Sequence, residues 1–375
     1  MTRDIGRYLR SKFRGENVGA FALLATFLVL ALTSLPRLSQ TTDEPLHYRY
    51  GRKILQSDAG RFDDSKMPVS ALNALPAWLG ERLPEGRISR GLRYWQVARL
   101  PTLAAAVGLG LVVLAWGRSL YGRSAGLLSL ALFVFDPNIL AHSRLITTDL
   151  YLAAAVGLSL YLFWRFARRR TLARAVAAAL ALGLAQITKY TAVALFPLFG
   201  LLILVYDLPR LSKALRRRGW QIAARYLVWS SALVAFFLAT AIVIINFAFV
   251  RERTFRPLQD YAFQSQFFRG LQSRAAGAAW LRVPVPYPYL QGLDAVLYRE
   301  RSNVGYGQIY LLGELRRGEG FPAYFLVAYA LKTPLASQAV FLLAIAGLLR
   351  RRSWRGFVRQ EQFLVVPLIA FGVYF

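Results

Sequence analysis

The chain has 375 residues, of which 56% are hydrophobic, and its formal net charge is +28. Its mean hydropathy of +0.38 is too high for a soluble protein of this length, and its apolar residues form runs that can cross a bilayer, which takes about 20 residues. The absence of cysteine excludes disulfides, thiolate metal sites and cysteine nucleophiles. The basic residues lie between the apolar runs rather than on one soluble domain. We therefore expect no nucleic-acid partner and predict an all-α polytopic membrane protein.

The first apolar run, Gly19 to Leu35, follows a basic segment, as the core of a signal peptide would. A signal peptide has a shorter apolar core, of about 7–15 residues, followed by a small-residue cleavage site. Because this run is longer and the LTSLPRLSQ sequence at its end offers no such site, we predict an uncleaved anchor with its N-terminus in the cytoplasm.

Seven more apolar runs follow, and a last one begins at Phe363, so we predict about nine or more transmembrane helices in a single domain, 1–375. The last run stops at Phe375 after 13 residues, which is short for a span, so we interpret the chain as truncated at its C-terminal end. The seven runs are Leu100–Trp116, Ala125–Leu140, Leu150–Phe166, Ala173–Ile187, Thr191–Tyr206, Tyr226–Val250 and Phe321–Leu349.

Three arginine triplets predict the topology: Arg168–Arg170, Arg216–Arg218 and Arg350–Arg352. Four predicted spans separate the basic N-terminus from the first triplet, and two separate each triplet from the next. Even numbers place all of them on one side, which the positive-inside rule makes cytoplasmic. The segments 36–99 and 251–320 are then extracytoplasmic loops, and we predict amphipathic helices in the first.

Two adjacent carboxylates, Asp43 and Glu44, follow closely on the end of the first span. Carboxylates beside hydrocarbon are costly, so a functional site is the default interpretation. The same loop contains Lys66, and Arg99 stands at the start of the next run. Such carboxylates take up a proton or position an acceptor, and Lys and Arg bind phosphate. Capping of a helix that begins at Pro45 is an alternative that is compatible with catalysis.

A second acidic motif lies in FDPNILAHSRLITTDL, where Asp136 and Asp149 bracket a short outer turn. Asp149 either belongs to the site or caps the helix that opens at Leu150. Lys189, at another outer turn, either anchors a helix end by snorkelling or contacts a lipid phosphate. Lys332 lies about eleven residues inside its run, where a charge must face protein or a wet cavity, so it either contacts phosphate or pairs with a carboxylate.

Seven motifs in succession resemble those of the bacterial relatives of dolichyl-phosphate-mannose protein mannosyltransferases. These proteins belong to the C-type superfamily of membrane glycosyltransferases, which also includes the aminoarabinose transferases of lipid A. The resemblance runs from about Gly19 to Leu349 and implies the C-type glycosyltransferase fold. The motifs are DEPLHYRYG, KMPVSALNALP, ARLPTL, DPNILAHSRLITTDL, TKYTA, NVGYGQIYLLGE and AYFLVAYALKTPL.

The resemblance also implies roles for residues. Asp43 is expected to be the catalytic base and Glu44 a supporting carboxylate, while Asp149 corresponds to the family's second acidic motif. Lys66, next to Pro68 in a Lys-x-Pro sequence, is expected at the donor phosphate, with Arg99, Lys189 and Lys332 as further phosphate-binding candidates. An Arg-Arg-Gly-Glu-Gly-Phe sequence at 316–321 departs from the aromatic-rich turn of many relatives, which leaves the sugar and acceptor open.

The remaining candidates are two histidines and one loop. His47 lies four residues after Asp43, one helical turn away, and His142 lies near the second acidic motif. A metal site needs about three protein ligands, so we favour hydrogen-bonded interfacial histidines and keep a divalent metal as an open alternative; no other cofactor is implied. Tyr306, Tyr310 and Glu314 are assigned to a sugar or acceptor loop, with an interfacial aromatic belt as the alternative for the tyrosines.

These observations predict an inverting glycosyltransferase in a bacterial inner membrane, with its active site outside the cytoplasm. It would move a sugar from a polyprenyl-phosphate donor to a hydroxyl on a protein, lipid or glycan acceptor. A transporter or flippase of a lipid-linked sugar is the alternative, although the sequence shows no internal repeat of the kind that transporters often have. An inactive, truncated relative is the third interpretation.

Overall fold

Helices make up most of the computed structural model of the chain, which describes residues 2–58, 66–250, 252–277, 280–302, 308–317, 320–350 and 354–374. The chain divides into two compact units. The first contains Met1–Leu55, Ser70–Tyr161 and Tyr329–Arg352, and the second contains Gln56–Val69, Leu162–Ala328 and Ser353–Phe375. Each unit is thus assembled from stretches that are distant in the sequence.

The first unit holds the N-terminal helices and the end of the penultimate apolar run. Helix α9 belongs to it up to Tyr161 and continues into the second unit. The helices are α1 (Thr2–Ser34), α2 (Glu44–Leu55), α3 (Ala71–Gly80), α4 (Arg87–Leu92), α5 (Trp95–Ala98), α6 (Leu100–Tyr121), α7 (Arg123–Val134), α8 (Pro137–His142) and α9 (Asp149–Arg168).

The second unit holds the central helices and the second of the two long segments that the sequence predicts to be extracytoplasmic. Helix α15 begins in it and ends in the first unit, to which α16 also belongs. The elements are α10 (Leu172–Gln186), α11 (Leu195–Arg218), α12 (Trp220–Ala248), α13 (Gln266–Arg274), α14 (Tyr287–Ser302), β1 (Gln308–Leu311), β2 (Glu314–Arg317), α15 (Tyr324–Lys332), α16 (Leu335–Arg350), α17 (Trp354–Arg359) and α18 (Gln362–Tyr374).

Five stretches of the described residues are long and apolar enough to cross a membrane, or six if the bent pair α15–α16 counts as one span. The prediction of an all-α polytopic membrane protein is confirmed, but the count of nine is not. Shorter apolar helices replace two predicted spans and the last run: Arg123–Val134, Leu172–Gln186 and Gln362–Gly372. The five long spans are Asn17–Arg37, Trp95–Tyr121, Asp149–Arg168, Tyr190–Pro209 and Trp220–Ala248.

The predicted span 125–140 is two helices because Asp136-Pro137 starts a new one. The Asp136 carboxylate accepts hydrogen bonds from the backbone N–H groups of Asn138 at 2.8 Å and Ile139 at 3.1 Å. Pro137 at the first helical position has no N–H to satisfy and cannot continue α7. Asp136 is therefore the N-cap of α8, and its carboxylate is occupied by that structural role.

Helices α6 and α7 form a tight hairpin around three glycines. Gly122 joins them with φ of +91°, a conformation that favours glycine. A Cβ on Gly126 would lie 2.9 Å from the Leu114 carbonyl oxygen, and one on Gly117 would lie 3.1 Å from the Cα of Gly126. The two backbones approach so closely because small residues line the contact, as is usual between membrane helices.

One end of the first unit collects the end of α1 and the starts of α6 and α9. Arg144, just before α9, donates to the Ser34 hydroxyl at the end of α1. The backbone N–H of Ile146 donates to Glu44 at 3.0 Å, and Arg99 at the start of α6 donates to the Leu38 carbonyl at 3.1 Å. Helices α7 and α8 together therefore return the chain to the end where α6 begins.

The helices of the second unit alternate in the same way. At one end, the Val69 N–H donates to the carbonyl of Ile187 after α10 at 3.3 Å, and Asn246 near the end of α12 donates to the Pro284 carbonyl at 2.8 Å. At the opposite end of α10 and α11, Arg170 is bonded to Asp207. The lysine-bearing loops and the segment around Pro284 thus lie at one end, away from the arginine-rich turn 168–170.

Two features of the last third were not predicted as such. Strands β1 and β2 pair antiparallel across Leu312-Gly313, whose φ angles of 48° and 94° suit the two-residue turn of a tight hairpin. The predicted span 321–349 breaks after Lys332, and its halves α15 and α16 are bent by 115°. Pro334 explains the break, because it lacks an N–H and disfavours helical geometry in the preceding Thr333.

Candidate functional site

Glu44 is fully buried at the first residue of α2, and its carboxylate accepts four hydrogen bonds. The Arg99 guanidinium donates Nε to Oε1 at 2.8 Å and Nη2 to Oε2 at 2.7 Å. The backbone N–H groups of Thr41 and Ile146 donate to Oε2 at 2.9 Å and to Oε1 at 3.0 Å. One carboxylate therefore joins the loop before α2, the start of α6 and the loop before α9.

Arg99 is fully buried as well. Besides Glu44, it donates Nη1 to the Leu38 carbonyl at 3.1 Å and Nη2 to the Ser39 carbonyl at 2.8 Å. The sequence interpretation assigned Arg99 to a donor phosphate, but the structure places its guanidinium inside the protein with Glu44. A phosphate could reach it here only by displacing that carboxylate, so we assign Arg99 to holding Glu44.

The electrostatics of Glu44 follow from these contacts. Burial raises the pKa of the carboxyl, but the hydrogen bonds from Arg99, Thr41 and Ile146 and the charge of Arg99 outweigh it, so the pKa lies below the ordinary value of 4.5. Glu44 is therefore ionised at neutral pH and forms a buried ion pair. A buried pair of this kind is strongly destabilised when only one partner is removed.

Asp43 has the opposite environment, although it is the next residue in the chain. Its backbone carbonyl accepts from the N–H groups of Leu46 and His47, both at 3.1 Å, which makes it the residue that opens α2. Its side chain is exposed, and the part of the chain that the structure describes offers its carboxylate no hydrogen-bond partner. The capping interpretation thus holds for its backbone, while the carboxylate stays accessible to a ligand.

The second acidic motif lies next to the first. Asp149 is the exposed first residue of α9, three residues after Ile146, whose N–H is bonded to Glu44. Asp43 and Asp149 therefore stand at the N-termini of two helices that the same buried carboxylate connects. Sequence reasoning had placed both aspartates on the outer face, but it had not identified the contact that brings them together.

A second buried polar cluster lies in the same unit. The Asn73 amide nitrogen donates to the Ala98 carbonyl at 2.7 Å and to the Thr102 hydroxyl at 2.9 Å. The Tyr151 hydroxyl donates to the Asn73 side-chain oxygen at 3.1 Å. These bonds fix α3 and the starts of α6 and α9 to one another. Sequence reasoning missed this cluster; its one signal is an asparagine within the apolar segment VSALNALP.

Lys66 and Lys189 lie in neighbouring loops of the second unit. The Val69 N–H bonds to the Ile187 carbonyl at 3.3 Å, which sets the Lys-Met-Pro segment against the end of α10, two residues before Lys189. Both lysines are partly exposed, whereas Met67 and Val69 are buried and anchor the loop. The two cations expected at a phosphate are therefore presented at the same end of this unit.

Lys332 is the last residue of α15, at the break in the predicted span, and its side chain is exposed. Its carbonyl accepts from the Asn138 amide at 3.0 Å, which places it beside α8 and the second acidic motif. No carboxylate forms an ion pair with it among the described residues. The structure thus shows no buried ion pair of Lys332 among the described residues, and its contact with phosphate stays a prediction.

The remaining candidates are dispersed. Tyr306 lies outside the described residues. Tyr310 is exposed on β1, and Glu314 on β2 accepts from Arg316 Nε at 2.7 Å.

The His47 Nδ1 lies 3.2 Å from the Ser70 hydroxyl, and His142 is the exposed last residue of α8. Across the described ranges, no three His, Cys, Asp or Glu side chains are grouped so that they could hold a metal ion.

The fold and site define a helical membrane protein in which exposed aspartates stand at two helix N-termini and lysines lie in the loops. Residues 76–255 match the model of a protein family described as dolichyl-phosphate-mannose-protein mannosyltransferase. This match confirms the resemblance and is consistent with membership of the C-type glycosyltransferase superfamily. It supports a polyprenyl-phosphate-sugar glycosyltransferase in general terms.

The matched segment covers just under half of the chain. It includes Arg99, Asp149 and Lys189, while Asp43, Glu44 and Lys66 precede it. No curated protein and no solved structure matches the chain significantly.

Proposed function

We propose that the protein transfers a sugar from a polyprenyl-phosphate donor to an acceptor hydroxyl at the extracytoplasmic face of a bacterial inner membrane. The observation that carries this proposal is the exposed Asp43 carboxylate beside the buried Glu44–Arg99 pair, with Asp149 connected to the same pair through Ile146. A buried, fully bonded scaffold directly beneath an accessible carboxylate is the arrangement that a positioned general base needs.

The proposed reaction is a single displacement that inverts the anomeric carbon. The acceptor oxygen forms a bond to that carbon while the bond to the phosphate oxygen of the donor breaks. Asp43 takes the proton of the acceptor hydroxyl, and the polyprenyl phosphate departs with the bonding electrons. General-base assistance of this kind contributes about 10²–10⁴-fold to the rate.

The departing phosphate must be stabilised by positive charge, and three lysines are the proposed source of that charge. Lys66 and Lys189 lie in adjacent loops of the second unit, and Lys332 lies beside α8 in the first. We propose each of these lysines as a candidate contact of the donor phosphate, where its charge would stabilise the negative charge that develops in the transition state. Glu44 and Arg99 are assigned to positioning Asp43 rather than to contact with the donor.

The acceptor is proposed to be a hydroxyl on a protein, lipid or glycan of the cell envelope. The exposed hairpin with Tyr310 and Glu314 is the proposed acceptor or sugar loop, together with Tyr306, and we propose that the segment 251–320 to which it belongs is extracytoplasmic. Aromatic faces stack on sugar rings, and carboxylates accept their hydroxyl hydrogens.

A transporter of lipid-linked sugar remains the second candidate, because the broken pair α15–α16 with Lys332 at its break resembles the discontinuous helices of transporters. Proteoliposomes separate the two functions. The purified protein would be supplied with a polyprenyl-phosphate-linked hexose and with envelope proteins and glycolipids as acceptors. Mass spectrometry would follow sugar transfer, and a periodate-accessibility assay would follow movement of the donor between leaflets.

Donor-dependent transfer is the expected result. The Lys332→Met variant should use the donor less well at low donor concentration, whereas Lys213→Met, an exposed lysine far along α11, should behave as the parent. Movement of the donor between leaflets without transfer to any acceptor would overturn the proposal and establish the transporter.

A further inference from the structure

The second unit contains an apolar cavity of about 450 Å³ between helices α9, α10, α11 and α12. This volume lies within the range of about 300–1,000 Å³ that is usual for ligand sites. Its walls are formed mainly by aromatic and aliphatic side chains, among them Phe163, Leu182, Phe199, Ile203, Leu233 and Phe237. All of these belong to helices that are long and apolar enough to cross a membrane or to the shorter apolar helix α10, so we expect the cavity at the depth of the lipid hydrocarbon.

The cavity reaches the apolar surface of the helices. Leu204, Val234 and Leu238 line it and are at the same time exposed at the helix surface. Gly200 also lines it, and a Cβ at this position would meet no atom within 4 Å. An apolar space of this size does not hold water, and an empty one forfeits the dispersion contacts of its walls. A hydrocarbon chain from the bilayer is the occupant that restores those contacts.

Charged residues stand at one end of the cavity, where Phe163 and Tyr226 line it. The Trp229 ring lies 6.4 Å from the Tyr226 ring, and the Arg170 guanidinium lies 4.3 Å from the centroid of Trp229. Arg170 is partly exposed and bonds both oxygens of Asp207, at 2.6 and 2.5 Å. Arginines outnumber that carboxylate at this end: Arg165, Arg168, Arg169, Arg170, Arg174 and Arg225.

We propose that this cavity is a binding site for an anionic phospholipid, with one acyl chain between α11 and α12 and the phosphate at the arginine-rich end. Charge complementarity selects the headgroup, as in basic pockets between membrane helices that bind acidic lipids. The apolar walls select a hydrocarbon chain. The site is separate from the lysines proposed at the donor phosphate in this unit, because Lys66 and Lys189 lie at the opposite end of α10.

The test uses phosphatidylglycerol that carries a photoreactive diazirine on one acyl chain. The purified full chain in nanodiscs would be irradiated, digested and analysed for labelled peptides of α11 and α12. Gly200→Leu fills the cavity from a position with free space, and displacement of about two methylene groups of the chain should lower labelling of these peptides about tenfold. Gly108→Leu is the matched control, since Gly108 is also a helical glycine with open space around its Cβ and lies in α6.

The expected result is labelling of α11 and α12 that falls in Gly200→Leu, persists in Gly108→Leu and is weaker with a phosphatidylcholine probe of the same chains. Equal labelling by phosphatidylcholine would overturn the anionic-lipid assignment. Competition by polyprenyl phosphate, but not by unlabelled phosphatidylglycerol, would show that the cavity belongs to the donor. Labelling unaffected by Gly200→Leu would remove the cavity as the site. None of these readouts depends on sugar transfer.

Discussion

Asp43 and Glu44 are adjacent in the sequence and have opposite environments because they open a helix. Asp43 is the last residue before α2 and points to the surface, whereas Glu44 begins the helix and turns inward to Arg99. The two adjacent carboxylates therefore have different roles. Glu44 is neutralised by the buried Arg99, and Asp43 remains accessible. The buried partner makes the geometry of the exposed one reproducible, because four hydrogen bonds hold the first residue of the helix.

The first prediction concerns the exposed member of the pair. Asp43→Asn keeps the shape of the side chain and removes its basicity, so sugar transfer in proteoliposomes should fall about 10²–10⁴-fold. The melting temperature should stay close to that of the parent, because the carboxylate has no partner among the described residues. Asp260→Asn, which changes an exposed aspartate between α12 and α13, is the control and should retain activity. Activity of Asp43→Asn within threefold of the parent would remove Asp43 from the role of base.

The second prediction concerns the buried member. Glu44→Gln leaves the Arg99 charge without its counter-ion, and breaking a buried pair in this way costs about 3–5 kcal/mol. Thermal unfolding in detergent should show a lower melting temperature. A double-mutant cycle with Arg99→Met is the control: the loss in Glu44→Gln/Arg99→Met should be smaller than the sum of the two single losses. Additive losses would show that the two side chains do not stabilise each other.

The same pair has a predictable pH dependence. Because the folded-state pKa of Glu44 is depressed below its ordinary value of 4.5, its stabilising contribution is present above pH 4.5 and is lost as the pH falls through the folded-state pKa. The difference in unfolding free energy between the parent and Glu44→Gln should therefore shrink in this acidic range. A difference that stays constant from neutral pH down to pH 3 would contradict the ionised pair.

The site could be predicted from sequence only in part. The Asp-Glu pair and the lysine motif were visible because charges beside an apolar run are rare and motif order carried the resemblance. The pairing of Glu44 with Arg99 was not visible, since 55 residues separate them and several other arginines were candidates. The bond from Ile146 was equally hidden, because it uses a backbone N–H, which every residue except proline has.

At the scale of elements, hydropathy located the apolar runs but not all of their interruptions. The division of 125–140 into α7 and α8 had a local signal, Asp136-Pro137, which is a typical helix start. The break of the run 321–349 also has one, Thr333-Pro334. The Gln338 amide reinforces it by donating to the carbonyls of Ala330 at 2.8 Å and Thr333 at 2.9 Å. The extent of the bend depends on such contacts and not on hydropathy.

The third prediction measures that break. Because the chain has no cysteine, spin labels can be placed on Leu326→Cys and Leu349→Cys, both at exposed positions. A straight helix would separate these positions by about 35 Å, at 1.5 Å per residue. A 115° bend brings them much closer, so double electron–electron resonance should report a clearly shorter distance. Pro334→Ala should lengthen it.

The matching control uses an uninterrupted helix. Labels on Leu227→Cys and Phe247→Cys in α12, both exposed, should give about 30 Å. A distance near 35 Å for the first pair in the parent protein would contradict the broken span and restore the continuous helix that the sequence suggested.

At the scale of the whole molecule, the contacts support the up-and-down alternation of successive helices better than they support any particular number of membrane spans. Contacts of Arg144 with Ser34 and of Ile146 with Glu44 return the chain to the starting end of α6 through α7 and α8, although α7 has only 12 residues. In the second unit, α10 and α12 end on the side of the lysine-bearing loops. The arginine triplets could predict this alternation, because clusters on the same side of a membrane require an even number of crossings between them. Hydropathy alone does not distinguish a short helix that crosses the unit from one that does not.

The last prediction tests which side each end faces. Single cysteines at Thr42 and Ala141, exposed beside the two acidic motifs, and at Leu312 in the hairpin should react with a membrane-impermeant thiol reagent in intact spheroplasts. A cysteine at Lys213, exposed near the arginine-rich end of α11, should react only after the membrane is opened. This pattern follows from the positive-inside rule, which places basic short loops in the cytoplasm.

The reverse pattern would put Asp43 and Asp149 in the cytoplasm and would overturn the extracytoplasmic site. Labelling of Thr42→Cys and Ala141→Cys on different sides would contradict the bond between Glu44 and Ile146, since residues so close to that contact must share one end of the unit.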